Sequence, residues 1–227
     1  MLRIHIITLL PELAKGIFSS PPFTWAKKDA LNVFIHNLRD FAIDRHGTVD
    51  GKPFGGGDGM VLRPEPLKMA LDSISGESRK VIVPSPKGQL WSRNRAKDFS
   101  QYSGDLIFIC GRFAGIDQRF LDKYVDEEFS VGDYIVSGGE LPAALMCDSI
   151  VRFIPGVLGN LDSFTNDSFE SIFEGGLEPP QFTRPRIFEG KVVPSTLVEG
   201  NHKKIEKWKR EMSLAETKQK RQDLLKF

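Results

Sequence analysis

Cysteine is scarce in this chain: Cys110 and Cys147 are the only two in 227 residues. Neither sits in a CxxC pair or a Cys/His cluster, so no zinc site is read. Both lie in apolar contexts, FICG and ALMCDSI, and read as small buried hydrophobes, which fits a reducing cytosol. An excess of one charge is also lacking. The 31 Lys/Arg nearly balance the 30 Asp/Glu, and a net charge of +1 identifies no partner. Long apolar runs are missing too, and no segment approaches the ~20 residues of a membrane span. Pro11 and Glu12 interrupt the apolar start MLRIHIITLLPEL, which lacks a signal-peptide layout. The expectation is a cytoplasmic protein with no membrane contact.

What is present is ordinary for a globular protein, with 40% hydrophobic and 27% charged residues. Its length allows one large domain or two smaller ones. Charge is unevenly placed. From Asn201 to Phe227, nine Lys/Arg stand against four Asp/Glu, leaving +5 there and −4 on the rest. A basic tail on a mildly acidic body suggests a polyanion contact, or else a solvated helix face.

Periodicity predicts strands over Leu2–Thr8, Ala30–Leu38, Lys80–Pro84, Leu106–Cys110 and Glu127–Val131. It predicts helices over Pro11–Ile17, Pro64–Ser73, Arg93–Ser100, Ile116–Tyr124 and Leu141–Phe153, the last with Pro142 in its first turn. Asp40–Met60 reads as a long loop. This alternation argues for an α/β domain with a mostly parallel sheet over residues 1–159. Residues 160–176 are polar and read as a flexible linker. Residues 177–227 read as a small, mainly helical basic domain. In it Asn201 caps a helix whose apolar face carries Ile205, Trp208 and Met212.

Glycine punctuates three loops: PSPKG at Pro84–Gly88, CGRFAG at Cys110–Gly115 and SVGDYIVSGGE at Ser130–Glu140. CGRFAGID lacks the G-x-G-x-x-G fingerprint of a dinucleotide site and its downstream acidic residue. FGGGDGMVL lacks the Lys-Ser/Thr ending of a phosphate loop. A nicotinamide oxidoreductase is therefore disfavoured. The remaining reading is a ligand held on backbone groups of several loops, gathered at the carboxyl edge of a parallel sheet.

The motifs CGRFAGIDQR, SVGDYIVSGGELPA, RFIPGVLG, PPQFTRP and EGNH occur in this order, with DRHGTVD and PFGGGDGM upstream. Together they closely resemble the bacterial tRNA (guanine-N1)-methyltransferases, over essentially the whole chain. The resemblance implies a SPOUT-type α/β fold whose chain threads into a deep trefoil knot, an exception to the no-knot rule. It implies S-adenosylmethionine as cofactor, a dependence on Mg²⁺, tRNA as partner, and a homodimer with shared active sites. The methylated base would be the guanine just 3′ of the anticodon. Ser85, Pro86, Gly88, Gly111, Phe113, Gly115, Val131, Gly132, Tyr134, Ile135, Val136, Gly138 and Gly139 would hold the cofactor. Asp167 in TNDSFE would be the catalytic base and Arg152 its catalytic partner.

The chemistry asks for these two types. Guanine N1 carries a proton and is a poor nucleophile; a carboxylate can take that proton. The charge then spreads to O6, where a guanidinium can stabilise it without losing its own proton. Taken alone, Asp167 also reads as a helix N-cap with Glu170 in a capping box, and Arg152 as compensation of a helix dipole. DRHGTVDGKPFGGGDGM resembles the loop that approaches the substrate guanine, although His46 alone reads as structural. Lys203, Lys204, Lys207, Lys209 and Arg210 are candidate phosphate contacts, while Phe182 and Trp208 read as core. No ligand cluster for a metal is evident.

Departures from the family pattern are Ala114 where a glutamate is common, Gly51 for a frequent acidic residue, and Glu199 for a usual serine. The C-terminus also reads as short. Ala114 leaves open how the methyl group is oriented. Ala114 and the basic tail lend some support to a competing reading, a non-catalytic RNA-binding protein that keeps the fold; the presence of Arg152 and Asp167 opposes it.

Overall fold

The structure is a computed structural model and describes residues 1–27, 29–76, 78–157 and 167–225. Residues Met1–Gly159 and Asn160–Phe227 form two compact units.

The first unit is built on five strands, β1 (Leu2–Thr8), β2 (Leu31–Asn37), β5 (Arg79–Leu90), β6 (Gly104–Ile109) and β7 (Glu127–Ser130). They form one sheet in the order β2-β1-β6-β5-β7, and every pairing is parallel. Between β2 and β5 lies a two-residue pair, β3 (Asp50–Gly51) and β4 (Val61–Leu62), paired antiparallel. The helices are α1 (Pro11–Phe18), α2 (Pro64–Asp72), α3 (Arg93–Ser100), α4 (Gln118–Tyr124) and α5 (Glu140–Val151).

The sheet is covered on both faces, which explains its near-continuous Ile/Val/Leu strands. Ile4, Ile6, Leu106 and Phe108 pack against α1, α3 and α5 through Phe18, Phe99, Met146 and Ile150. The alternate residues Ile7, Val81, Ile107 and Ile109 pack against α2 and α4 through Leu67, Leu71 and Phe120. Leu106–Ile109 are wholly buried, as the central position of β6 requires. Cys110 and Cys147 are free, buried thiols among these apolar neighbours.

Predicted and observed elements differ most at β5. The sequence suggested Lys80–Pro84, but the strand runs from Arg79 to Leu90. Its pairing with β7 jumps from Pro84↔Phe129 to Gln89↔Phe129, so Ser85–Gly88 bulges out of the ladder and the strand resumes. Gly88 makes that return possible. A Cβ there would lie 2.3 Å from the carbonyl carbon of Glu128.

The second unit contains a short hairpin, β8 (Ile187–Phe188) and β9 (Lys191–Val192), the four-residue α6 (Ser195–Val198) and the long α7 (His202–Lys220). Asn201 caps α7 as expected, its side chain accepting from Lys204 N at 3.2 Å. The expected face Ile205, Trp208 and Met212 is half-buried, and buried Ser213 and Thr217 extend it. Those hydroxyls bind the chain before the hairpin. Ser213 donates to Leu177 O at 2.6 Å, and Thr217 Oγ1 accepts from Leu177 N at 2.9 Å. Of the segment read as a linker, residues 160–166 lie outside the described residues. From 167 on it holds a 3-10 turn, Ser171–Phe173, with Phe173 buried. Among the described residues, no helix is long and apolar enough to cross a membrane.

Candidate active site

At the carboxyl edge, the loops that follow β6 and β7 meet the bulge of β5 around one cavity of about 350 Å³. Ser85, Pro86 and Lys87 line it from the bulge, residues 111–116 from the second loop, and Val131, Gly132 and residues 134–139 from the third. Val83, Pro84, Leu121, Glu128, Phe129, Ser130 and Pro142 complete its wall. The volume falls within the range of small-molecule sites.

Twelve of the thirteen residues proposed from sequence line this cavity; Gly88 does not. It serves the fold instead, through the close approach to β7.

Glycines let the second and third loops touch. Gly139 N donates to Gly111 O at 2.9 Å, and Arg112 and Gly138 form an antiparallel bridge. A Cβ at Gly139 would stand 2.8 Å from Cys110 Cα. Phe113 sits at φ 58°, a left-handed conformation uncommon outside glycine, at the cavity wall. Exposed Phe113, Tyr134 and Ile135 give the rim an apolar character.

The charged side chains Lys87, Arg112 and Glu128 line the cavity. Behind Arg112 lies Glu140, 2% exposed, which accepts from Thr8 Oγ1 at 2.7 Å and stands 3.3 Å from Arg112 Nε. Sequence reasoning treated Glu140 as the end of a turn. Its main partner, Thr8, is 132 residues away, so no local signal marks it as buried.

The upstream glycine-rich loop closes on the same region. Ala114 N donates to Met60 O at 2.8 Å, and Leu62 N donates to Gly115 O at 2.9 Å. His46 is exposed in a turn organised by Asp44, whose carboxylate accepts from His46 N and Thr48 N. The Thr48 amide is the chief cause holding Asp44 below the ordinary carboxylate range.

The proposed catalytic residues belong to different units. Arg152 is the C-cap of α5 in the first. One turn earlier, burial pushes the Asp148 carboxyl up and the charge of Arg152 opposes the rise. Asp167 opens the described part of the second unit. It is not the cap of the turn that follows: Glu170 holds that place, its carboxylate accepting from Ser171 N. Phe182 and Trp208, expected in the core, have ring centroids 6.2 Å apart, but Phe182 stays 49% exposed. Among the described residues, no group of three or more His, Cys, Asp or Glu is placed to hold a metal ion.

The fold and site define a class: an α/β domain whose glycine loops close on an apolar cavity at the carboxyl edge of a parallel sheet. Comparison with known proteins narrows it. The family model for tRNA (Guanine-1)-methyltransferase TrmD matches residues 2–227. The tRNA (guanine-N(1)-)-methyltransferase of Dictyoglomus turgidum is 45% identical over 226 residues, 99% of this chain and 90% of its own. That of Clostridioides difficile is 44% identical over 230 residues, covering 99% and 98%. That of Geobacter sulfurreducens is 42% identical over 227 residues, covering 99% and 91%. The chain belongs to the tRNA (guanine-1)-methyltransferase family.

Proposed function

We propose that this protein methylates N1 of a guanine in tRNA, the base just 3′ of the anticodon, with S-adenosylmethionine as donor. The observation that carries the reading is the cavity at the carboxyl edge in a member of this family. Its lining suits the cofactor. An apolar wall suits an adenine ring, loop amides that glycines bring close can hydrogen-bond it, and Arg112 and Lys87 suit a carboxylate. S-adenosylmethionine supplies, when bound, an electrophilic methyl group.

The protein's part is to position the base and to manage one proton. Asp167 takes the N1 proton as general base. Arg152 donates to O6 as charge develops there. Reaching N1 requires taking the base out of its stack. Lys203, Lys204, Lys207 and Lys209 on α7 contact phosphates, adding affinity without sequence preference. In this reading residues 1–159 hold the cofactor, 160–176 connect, and 177–227 bind tRNA in the cytoplasm. The chain in this reading threads through a knot around the cavity, as the family resemblance implies. A dependence on Mg²⁺, which the resemblance implies, would then rest on one or two carboxylates together with water and tRNA phosphates.

A homodimer with shared sites completes the reading. α5 buries Met146, Cys147, Ile150 and Val151, yet Leu141 and Leu145, one turn apart, are 57% and 50% exposed. Leu10 and Leu13, at and just inside the start of neighbouring α1, are exposed as well. Such a patch beside the apolar cavity rim suits a second copy.

The test compares Asp167→Ala and Arg152→Ala. Both should lower single-turnover methylation of a tRNA transcript by about 10²-fold or more, while calorimetry shows S-adenosylmethionine binding near the wild-type level. Near-normal turnover of Asp167→Ala would sink the assignment.

A further inference from the structure

We infer that Glu140 is a positioning residue: through Arg112 it fixes the spacing of the second and third cavity loops and thereby the affinity for the cofactor. The inference rests on the cofactor reading above. Glu140 does not line the cavity, whereas Arg112 does, so Glu140 acts through its partner. A carboxylate at 2% exposure is costly unless paired and hydrogen-bonded, and the surrounding chain meets both conditions. Thr8 Oγ1, at the end of β1, donates its proton at 2.7 Å while accepting from Leu10 N at 2.9 Å. Arg112 Nε lies 3.3 Å from Glu140 Oε2, and Arg112 Nη1 reaches on to Ser137 O at 3.2 Å. The start of α5 favours a negative charge at this position.

These contacts tie three stretches remote in sequence: the end of β1, the loop after β6 and the loop before α5. The arrangement has little slack, because a Cβ at Gly138 would lie 2.5 Å from both Arg112 Nε and Glu140 Oε2. An Arg–carboxylate pair set so tightly holds its two loops at one separation. Without its negative partner, the guanidinium would turn toward the cavity or solvent and carry its loop with it.

Glu140→Gln separates positioning from plain structure, since the amide keeps the shape and still accepts from Thr8. Calorimetry on the purified full-length protein should show S-adenosylmethionine binding weakened about tenfold or more. Turnover at saturating cofactor should stay within about threefold of wild type, and the melting temperature should scarcely move. Arg112→Gln, which also removes a cavity-lining cation, should weaken binding at least as much, and the double variant should be no worse than Arg112→Gln alone. Unchanged binding by folded Glu140→Gln, or additive losses, would overturn the inference. So would failure of both single variants to fold, which would make the pair mere scaffold. If wild-type protein itself does not bind S-adenosylmethionine, the cofactor reading falls first. Wild-type binding with an indifferent Glu140→Gln sinks this inference alone.

Discussion

His5, 7% exposed on β1, sits under the ring of Phe34 with centroids 4.9 Å apart, in a chain of polar contacts remote from the cavity. Arg3 holds Asp105 with two hydrogen bonds, Asp105 Oδ1 lies 2.9 Å from His5 Nε2, and His5 Nδ1 lies 3.0 Å from His36 Nε2. Two ring nitrogens so close need one proton between them, so protonating both histidines breaks the contact. Burial lowers the pKa of both, and at His36 the charge of His5 adds to this. A histidine with a lowered folded pKa binds fewer protons when folded. Its stabilisation is therefore full above the unfolded value of about 6.5 and fades as pH falls through it. Asp105 is held low chiefly by Arg3, so its contribution persists to more acid pH and fades only below about 4. Denaturant unfolding should show stability declining between about pH 7 and 5. His36→Gln, which retains a donor toward His5, should flatten that decline; an unchanged slope would show that the pair does not titrate in this range.

At the scale of elements, the glycines divide into two kinds that sequence alone does not separate. A Cβ on Gly88 would meet the backbone of Glu128 and Phe129 at 2.3 to 2.4 Å, whereas one on Gly111 would meet Ile116 at an ordinary 3.7 Å. Gly88→Ala should cost about 2–3 kcal/mol of stability, measured from the denaturant midpoint, and Gly111→Ala less than about 1 kcal/mol. Equal losses would mean that β5 and β7 can shift apart. The same contrast marks what the sequence revealed. Strands such as Leu2–Thr8 and Leu106–Cys110 were legible because burial on both faces leaves them uniformly apolar. The cavity loops were legible because glycine is costly unless a turn or close approach requires it. The full length of β5 was not, since Pro84 and the bulge at Ser85–Gly88 imitate a strand end. Glu140 was not, because its partners come from β1 and from beyond β6. The ordered turn at Ser171–Phe173 was hidden by polar composition; what holds that region is a pair of α7 hydroxyls some 40 residues downstream.

Arg152 belongs to one unit and Asp167 to the other, and the proposed homodimer is tested at α5. Leu141→Asp/Leu145→Asp should yield monomers by sedimentation, with methylation lost more completely than thermal stability. A dimer that persists would exclude this face of α5 as the interface. The sheet order carries a consequence for synthesis. β5 pairs with β6 and β7, and β1 pairs with β2 and β6, so no ladder joins β1 to β5 directly. While the ribosome has made only the residues before Gly104, β5 has no partner and β1 has one bare edge. Translation must place the most buried strand of the sheet between two others already made. Until it does, the growing chain displays sheet edges open to pairing with other chains, the state in which nascent proteins most need a chaperone.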